Sequence, residues 1–467
     1  MKYSKNLNWE IILLVAILCF AFFLRVYALG TPSLWVDESI STNVAKNILE
    51  KGIPISDSGS NNSTYFLHYT MAFFMLFGQT EFFARFASIL FGLATIVLAY
   101  FIGKEYSKSG GIISALFFSV FYLEVFFSRQ ARYYQLFQLT FFLSIYLLYK
   151  SREKPILLYP ALLVFIIALD THLEGLILSI LFIVHILVYN RKQWFLSIIP
   201  AIPILSKLVN TIALATGTAI NYASDYFGYT SNMYYMLILF VPGLIWAFCK
   251  KRILTLMILL PSLLTLVGIF SIQVFAFRYA YFFIFPLVLY TALLMSFFYD
   301  KYGKLILIPI LILILIPSNI FYPQTYVNII TPIDYQFYDR SSPTTDYKNV
   351  PMELRNNITM GDDLLLSYFS SDVEFYLKKP DFVIPFSLDG RGTDQVSHNN
   401  SKGEIVDRYS GAPILNEVPN KSYYLTADYF STMKLKSSQI EFYNRLTANC
   451  TKEYVSYDLI IWKCDRI

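Results

Sequence analysis

The chain has 467 residues and a formal net charge of +5, and it is 56% hydrophobic with only 15% charged residues. Apolar runs of about 15 to 21 residues recur along it, and most are long enough to cross a bilayer as helices. This composition excludes a soluble enzyme or a nucleic-acid-binding module and predicts a polytopic membrane protein.

In chain order, spans are expected near 9–29, 83–102, 110–127, 134–149, 156–170, 173–189, 195–214, 233–249, 253–271, 279–299 and 305–322. That gives about eleven. The run Tyr65–Phe77 is short and interrupted by His68, so it reads as an interfacial segment. With that reading, every basic loop falls on one side with Lys2 and Lys5: Lys104 and Lys108, Lys150–Lys154, Arg191 and Lys192, Lys250–Arg252, and Lys301 with Lys304. A twelfth crossing would leave those clusters outside. The carboxy terminus is then expected outside, on a plasma membrane or, in a eukaryote, an endoplasmic reticulum membrane.

The sequons at Asn61, Asn62, Asn357, Asn399, Asn420 and Asn449 all fall on that outer side. The first apolar segment is too long for a cleaved leader and lacks a small-residue cleavage site, so it is expected to remain as an anchor. Cys19 and Cys249 lie in or beside predicted spans and are expected to be buried small hydrophobes, whereas Cys450 and Cys464 lie where a disulfide would be permitted.

After Tyr322 the composition turns polar. Residues 323–467 carry short alternating stretches, DLLLSYF, DFVIPFS, SYYLTADYF and YVSYDLIIWKC, with SSDVEFYLKK at helical spacing between the first two. They predict a small outer α/β domain after a membrane domain of residues 1–322. There is no internal repeat and no phosphate-cradling glycine-rich loop.

The ionisable residues are not scattered. Asp37 and Glu38, Glu81 and Arg85, Glu124 with Arg129 and Arg132, Asp170, His172 and Glu174, and Arg278 all fall at or near the outer ends of predicted spans, where such groups are costly to desolvate. Arginines at headgroup level suit a phosphate, because the guanidinium fork binds its oxygens bidentately. A nearby carboxylate can take a proton from an acceptor as general base. The two needs together fit glycosyl transfer from a lipid phosphate sugar.

The order of motifs resembles the GT-C glycosyltransferases of the protein O-mannosyltransferase and lipid A aminoarabinose transferase type. It runs from LWVDE after the first span through MLFG, TEFFARFASILFGL and FFSRQARYYQL to FRYAYFFIFPL, roughly the first two thirds of the chain. The resemblance implies a polyprenyl phosphate sugar as donor, whether dolichyl or undecaprenyl, and inversion at the anomeric carbon. It implies that Asp37 is the catalytic base and Glu38 its helper, that Arg85 faces the site, and that Arg278 and Tyr279 contact the phosphate.

Each assignment competes with a plainer role. Asp37 and Glu38 also suit the N-terminus of a helix with the stripe Val36, Ile40, Val44 and Ile48 ending at Gly52. Arg129 and Arg132, three apart, would face one way on a helical turn and grip one phosphate, or serve as headgroup anchors. Glu124 is a second acid of the site or a buried partner for an arginine, and Glu81 and Arg85 are spaced to pair with each other. Asp170, His172 and Glu174 offer three ligand types for a divalent metal, contacts to sugar or acceptor, or a solvated loop, with no HExxH or CxxC pattern to favour metal. His68 donates to a phosphate or sits at headgroup level, and Lys207 snorkels to the surface or meets the lipid phosphate. The acceptor is a protein, lipid or glycan. The alternative class, a transporter or flippase of lipid-linked sugars, predicts repeats and midplane charges that the sequence lacks. An oligosaccharyltransferase reading lacks the WWDYG-type motif in residues 323–467.

Overall fold

A computed structural model describes residues 6–56, 64–205, 234–270, 277–303, 308–309, 312, 345–368, 370–384, 397–399, 405–407, 410–428, 435, 437–456 and 458–465. Asn61, Asn62, Lys207 and most of the expected span 305–322 lie outside the described residues, as does the side chain of Tyr279.

The helices in chain order are α1 (Asn6–Val26), α2 (Val36–Lys51), α3 (Tyr65–Met75), α4 (Glu81–Tyr106), α5 (Gly110–Val120), α6 (Tyr122–Ser128), α7 (Tyr134–Lys150), α8 (Leu158–Thr171), α9 (Leu176–Tyr189), α10 (Tyr234–Phe270), α11 (Ile284–Tyr302), α12 (Met352–Met360), α13 (Ser370–Tyr376) and α14 (Ser437–Thr447). The strands are β1 (Leu364–Ser367), β2 (Phe382–Val383), β3 (Ser397–Asn399), β4 (Ile405–Asp407), β5 (Tyr423–Asp428), β6 (Cys450–Val455) and β7 (Leu459–Cys464). The chain divides into two compact units, one of residues 1–29 and 85–330, the other of residues 30–84 and 331–467.

The first unit is helical. Among the described residues, three helical segments are long and apolar enough to cross a membrane, Trp9–Val26, Glu81–Tyr106 and Tyr281–Tyr302, or four if α5 and α6 form one bent span. The stretch expected as a single span at 110–127 is broken at Phe121, whose ψ of 123° is extended, and the two halves meet at 63°. The break frees carbonyls at the end of α5, and the Arg25 guanidinium takes two of them, donating to Ser119 O at 3.0 Å and Phe118 O at 3.2 Å. In α10, 37 residues long, the backbone leaves helical geometry at Lys251, within the basic triplet 250–252.

Charges collect at one end of this unit: Lys104 pairs with Glu10 at 2.9 Å, and Lys150 and Lys251 both reach Glu105, at 3.1 and 4.0 Å. Apolar side chains of α1 such as Trp9, Ile12 and Phe23 point outward, a face suited to lipid. Cys19 and Cys249 share this outward character and are exposed, not packed in the interior as expected, because the apolar surface of a membrane helix faces its solvent, the hydrocarbon.

The second unit is built on a five-stranded mixed sheet in the order β2-β1-β5-β7-β6. β1 runs parallel to β2 and β5, while β7 runs antiparallel to β5 and β6. Alternation along the strands fills two cores. Leu365, Leu459 and Ile461 face one, and Leu366, Leu425 and Cys464 the other. Cys450 and Cys464, register partners in β6 and β7, are joined by a disulfide. The first core includes Leu34, which comes from the other end of the sequence and is 0% exposed. Helix α3 also belongs to this unit, and its eleven residues fall well short of the roughly 20 needed for a span.

Candidate active site

Asp37 and Glu38 lie in the first turn of α2. The helix starts there because Trp35 is extended, with φ −89° and ψ 166°, and its amide donates to Glu38 Oε2 at 3.3 Å. The Glu38 carboxylate thus satisfies a donor that the helix start would leave unpaired. At the other end Gly52, at φ 78°, closes the helix by donating to Ile48 O, the termination that the sequence pattern predicts. Glu38 is 0% exposed and Asp37 half-buried. The carboxylate that caps is buried, and its neighbour remains accessible. The buried face of α2 is largely polar, with Ser39, Thr42, Asn43 and Asn47, and of the stripe Val36, Ile40, Val44 and Ile48 only Val44 is fully buried, the other three being half-buried.

His68, in α3, is 1% exposed and within 3.3 Å of Thr64 Oγ1. Thr64 is itself held at φ 78°, a conformation costly for a β-branched residue. Glu81 is bonded by Tyr376 Oη and paired with Lys348 Nζ, both at 3.2 Å.

In the helical unit, the residues after α6 leave helical geometry, since Arg129 through Tyr133 form the turn before α7. The spacing argument for Arg129 and Arg132 therefore lacks the helix it assumes. Arg129 is 3% exposed, and its Nη1 donates to Arg25 O at 2.9 Å and Tyr27 O at 2.8 Å, with Leu24 O at 3.3 Å and an Nη2 bond to Ala28 O at 3.4 Å. It caps the carboxy terminus of α1, where Ala28 turns left-handed at φ 51°. Arg85, 0% exposed, donates to Leu29 O at 2.9 Å. Arg132 is half-buried and lies over the Tyr133 ring, 4.9 Å from its centroid.

Glu124, 1% exposed in α6, sits in a network of uncharged polar groups. Oε1 accepts from Gln138 Nε2 at 2.9 Å, and Oε2 accepts from Tyr281 Oη at 2.8 Å and from Gln135 Nε2 at 3.4 Å. Gln135 extends the network to Thr95 at 3.0 Å. None of Gln135, Gln138 or Tyr281 stands out when only charged residues at span ends are considered, whereas Arg25, a charged residue near the outer end of the first expected span, meets that criterion yet is not among the expected site residues. Two glutamines one helical turn apart, downstream of a membrane-depth glutamate, are the signal that could have flagged the network.

Tyr281 also lines a small open recess with Tyr133, Tyr134, Phe137, His172, Glu174, Arg278 and Phe282. The recess therefore brings together three of the predicted site residues, His172, Glu174 and Arg278. The His172 ring lies 5.2 Å from that of Tyr133 and 5.3 Å from that of Phe137. Its Nδ1 accepts the Glu174 amide at 3.4 Å, and the 3.6 Å from Nδ1 to Glu174 Oε2 is longer than a hydrogen bond. Glu174 Oε1 is buried without a hydrogen-bond partner among the described residues. Sites that enclose a whole small molecule measure roughly 300–1,000 Å³. This recess is far smaller, with free space of about 10 Å³, room for a single water, and it presents one guanidinium and aromatic walls. Asp170 is half-buried at the end of α8. Among the described residues no group of three or more His, Cys, Asp or Glu is arranged to hold a metal ion.

Residues 64–216 match the family described as dolichyl-phosphate-mannose-protein mannosyltransferase. The whole chain is similar in fold to ArnT from Cupriavidus metallidurans bound to undecaprenyl phosphate, with a TM-score of 0.60 at 12% identity over 98% of each chain. The apo state of that protein gives a TM-score of 0.62 at 11% identity over the same shares. The archaeal oligosaccharyltransferase AglB from Archaeoglobus fulgidus, in complex with an inhibitory peptide and a dolichol-phosphate, gives 0.52 at 12% identity over 81% of this chain and 64% of its own. No protein of curated function matches the sequence. At these identities the likeness is one of fold, and the chain has the GT-C fold that its motifs resemble.

Proposed function

We propose that the chain is an inverting glycosyltransferase that moves a sugar from a polyprenyl phosphate to a hydroxyl or amine on a protein, lipid or glycan at the outer membrane face. The reading is supported above all by a fold that follows, over 98% of its length, an enzyme solved with undecaprenyl phosphate. The rim carboxylates and arginines supply the chemistry that such a transfer needs.

The reaction is a single displacement. Asp37, the accessible member of the acidic pair, takes the acceptor proton as the acceptor atom attacks the anomeric carbon. The bond from that carbon to the phosphate oxygen breaks, and the polyprenyl phosphate leaves with its negative charge. Arg278, in the recess, is the cation for that phosphate, with Arg132 in support. Arg129 and Arg85 act indirectly, by bracing the end of α1. Glu38 holds the turn that carries Asp37.

The test is a panel of radiolabelled polyprenyl phosphate sugars given to the purified protein in lipid, with transfer to membrane extracts measured. One donor should be consumed, and Arg278→Ala should lower kcat/KM for it by roughly 10- to 100-fold, the range for loss of a charge-assisted contact. Consumption of no donor, or transport of a labelled donor across vesicles without transfer, would reject the assignment.

A further inference from the structure

Two residues of the C-terminal segment hold both ends of the segment that carries the acidic pair. The Leu34 amide donates to Tyr376 Oη at 2.7 Å, and Tyr376 Oη donates to Glu81 Oε1 at 3.2 Å. Lys348 Nζ pairs with the same Glu81 oxygen at 3.2 Å and donates to the Gly30 carbonyl. Gly30 and Leu34 thus open the segment, Glu81 closes it, and Tyr376 and Lys348 tie them together. Tyr376 and Glu81 are buried, at 7% and 8% exposed, so solvent does not readily replace the bond between them, while Lys348 is half-buried at the edge of the tie. Apolar packing secures it further, since the Leu34 side chain is fully enclosed by a core that includes Val350, Leu354, Leu365 and Val373. Asp37 stands three residues beyond Leu34, in the first turn of a helix whose start is set by the neighbouring Trp35 and Glu38.

We infer that the C-terminal sheet domain is the seat of the Asp37 turn and that Tyr376, backed by Lys348, is its positioning residue. This rests on reading Asp37 as the base. A base acts only when held within about 0.5 Å of its productive place. The chain between Leu34 and Asp37 is too short to absorb a shift at Leu34. Tyr376 touches neither donor nor acceptor; it fixes the backbone from which Asp37 works. The C-terminal domain then serves turnover directly, whatever acceptor is used.

The test compares Tyr376→Phe, which keeps the ring and its packing and removes only the hydroxyl, with wild type and with Asp37→Asn. Tyr376→Phe should lower kcat roughly five- to tenfold, the value of about one hydrogen bond, with donor KM within twofold of wild type. Amide hydrogen exchange should quicken across residues 34–41 and stay unchanged in β5 and β7. Lys348→Met should act in the same direction with a smaller loss, and it supplies the answer should Tyr376→Phe not fold. Wild-type kcat in both variants would overturn the inference, as would faster exchange spread over the whole sheet, which marks general destabilisation. Full turnover by Asp37→Asn would instead defeat the base assignment, which is a separate failure.

Discussion

The rim arginines look alike in the sequence and differ in what they touch. Arg129 spends its donors on carbonyls at the end of α1, groups that a helix terminus leaves unpaired, whereas Arg278 lines a recess. That difference has a measurable form. Arg129→Ala would leave buried carbonyls unsatisfied and open a gap at the α1 terminus, so it should cost about 2–4 kcal/mol of stability, read as a lower melting temperature in detergent. The surviving folded fraction should bind polyprenyl phosphate normally. A variant with unchanged melting and lost phosphate binding would return Arg129 to the ligand. Sequence spacing could not separate Arg129 from Arg132 because it assumed a continuous helix, and the chain leaves helical geometry after Ser128. Glu124 is legible in the sequence as an acid at membrane depth, but its partners Gln135, Gln138 and Tyr281 carry no charge, and only the spacing of the two glutamines hints at them.

At the scale of elements, hydrophobicity located helices well and their packing poorly. The start of α2 at the acidic pair and its stop at Gly52 follow from capping chemistry that is written locally. Which face of α2 is buried is not written locally, because a membrane protein gathers polar side chains inside and leaves apolar ones outward. The bend between α5 and α6 was equally hidden, since it depends on Arg25 from another helix accepting the role of partner to the freed carbonyls. Close approach is set by small residues. A Cβ on Gly103 of α4 would stand 2.4 Å from Gly110 O, and one on Gly110 would stand 2.5 Å from Gly103 O. Backbones in such contact cannot yield as a flexible side chain could. Gly103→Val should therefore cost roughly 1–3 kcal/mol by overpacking and reduce the yield of folded protein, measured by size-exclusion profile and melting temperature. Melting at the wild-type temperature would show that α4 and α5 do not need this approach.

For the whole molecule, composition alone separated a greasy part from a polar tail, and the tail stretches DLLLSYF, SYYLTADYF and YVSYDLIIWKC contain β1, β5 and β7 of one sheet. It did not register that residues 30–84 form a compact unit with the tail, because that grouping depends on Leu34, Glu81, Lys348 and Tyr376, residues hundreds of positions apart in the chain. The motif order gave the fold family, and the fold carries the functional proposal from there. That proposal depends most on one carboxylate. Purified protein in liposomes, supplied with the donor it consumes and with acceptor extract, should transfer labelled sugar, and Asp37→Asn should bind the same donor with unchanged affinity yet transfer it at least about 100-fold more slowly, the usual scale of a lost general base. Transfer by Asp37→Asn at the wild-type rate would contradict the account.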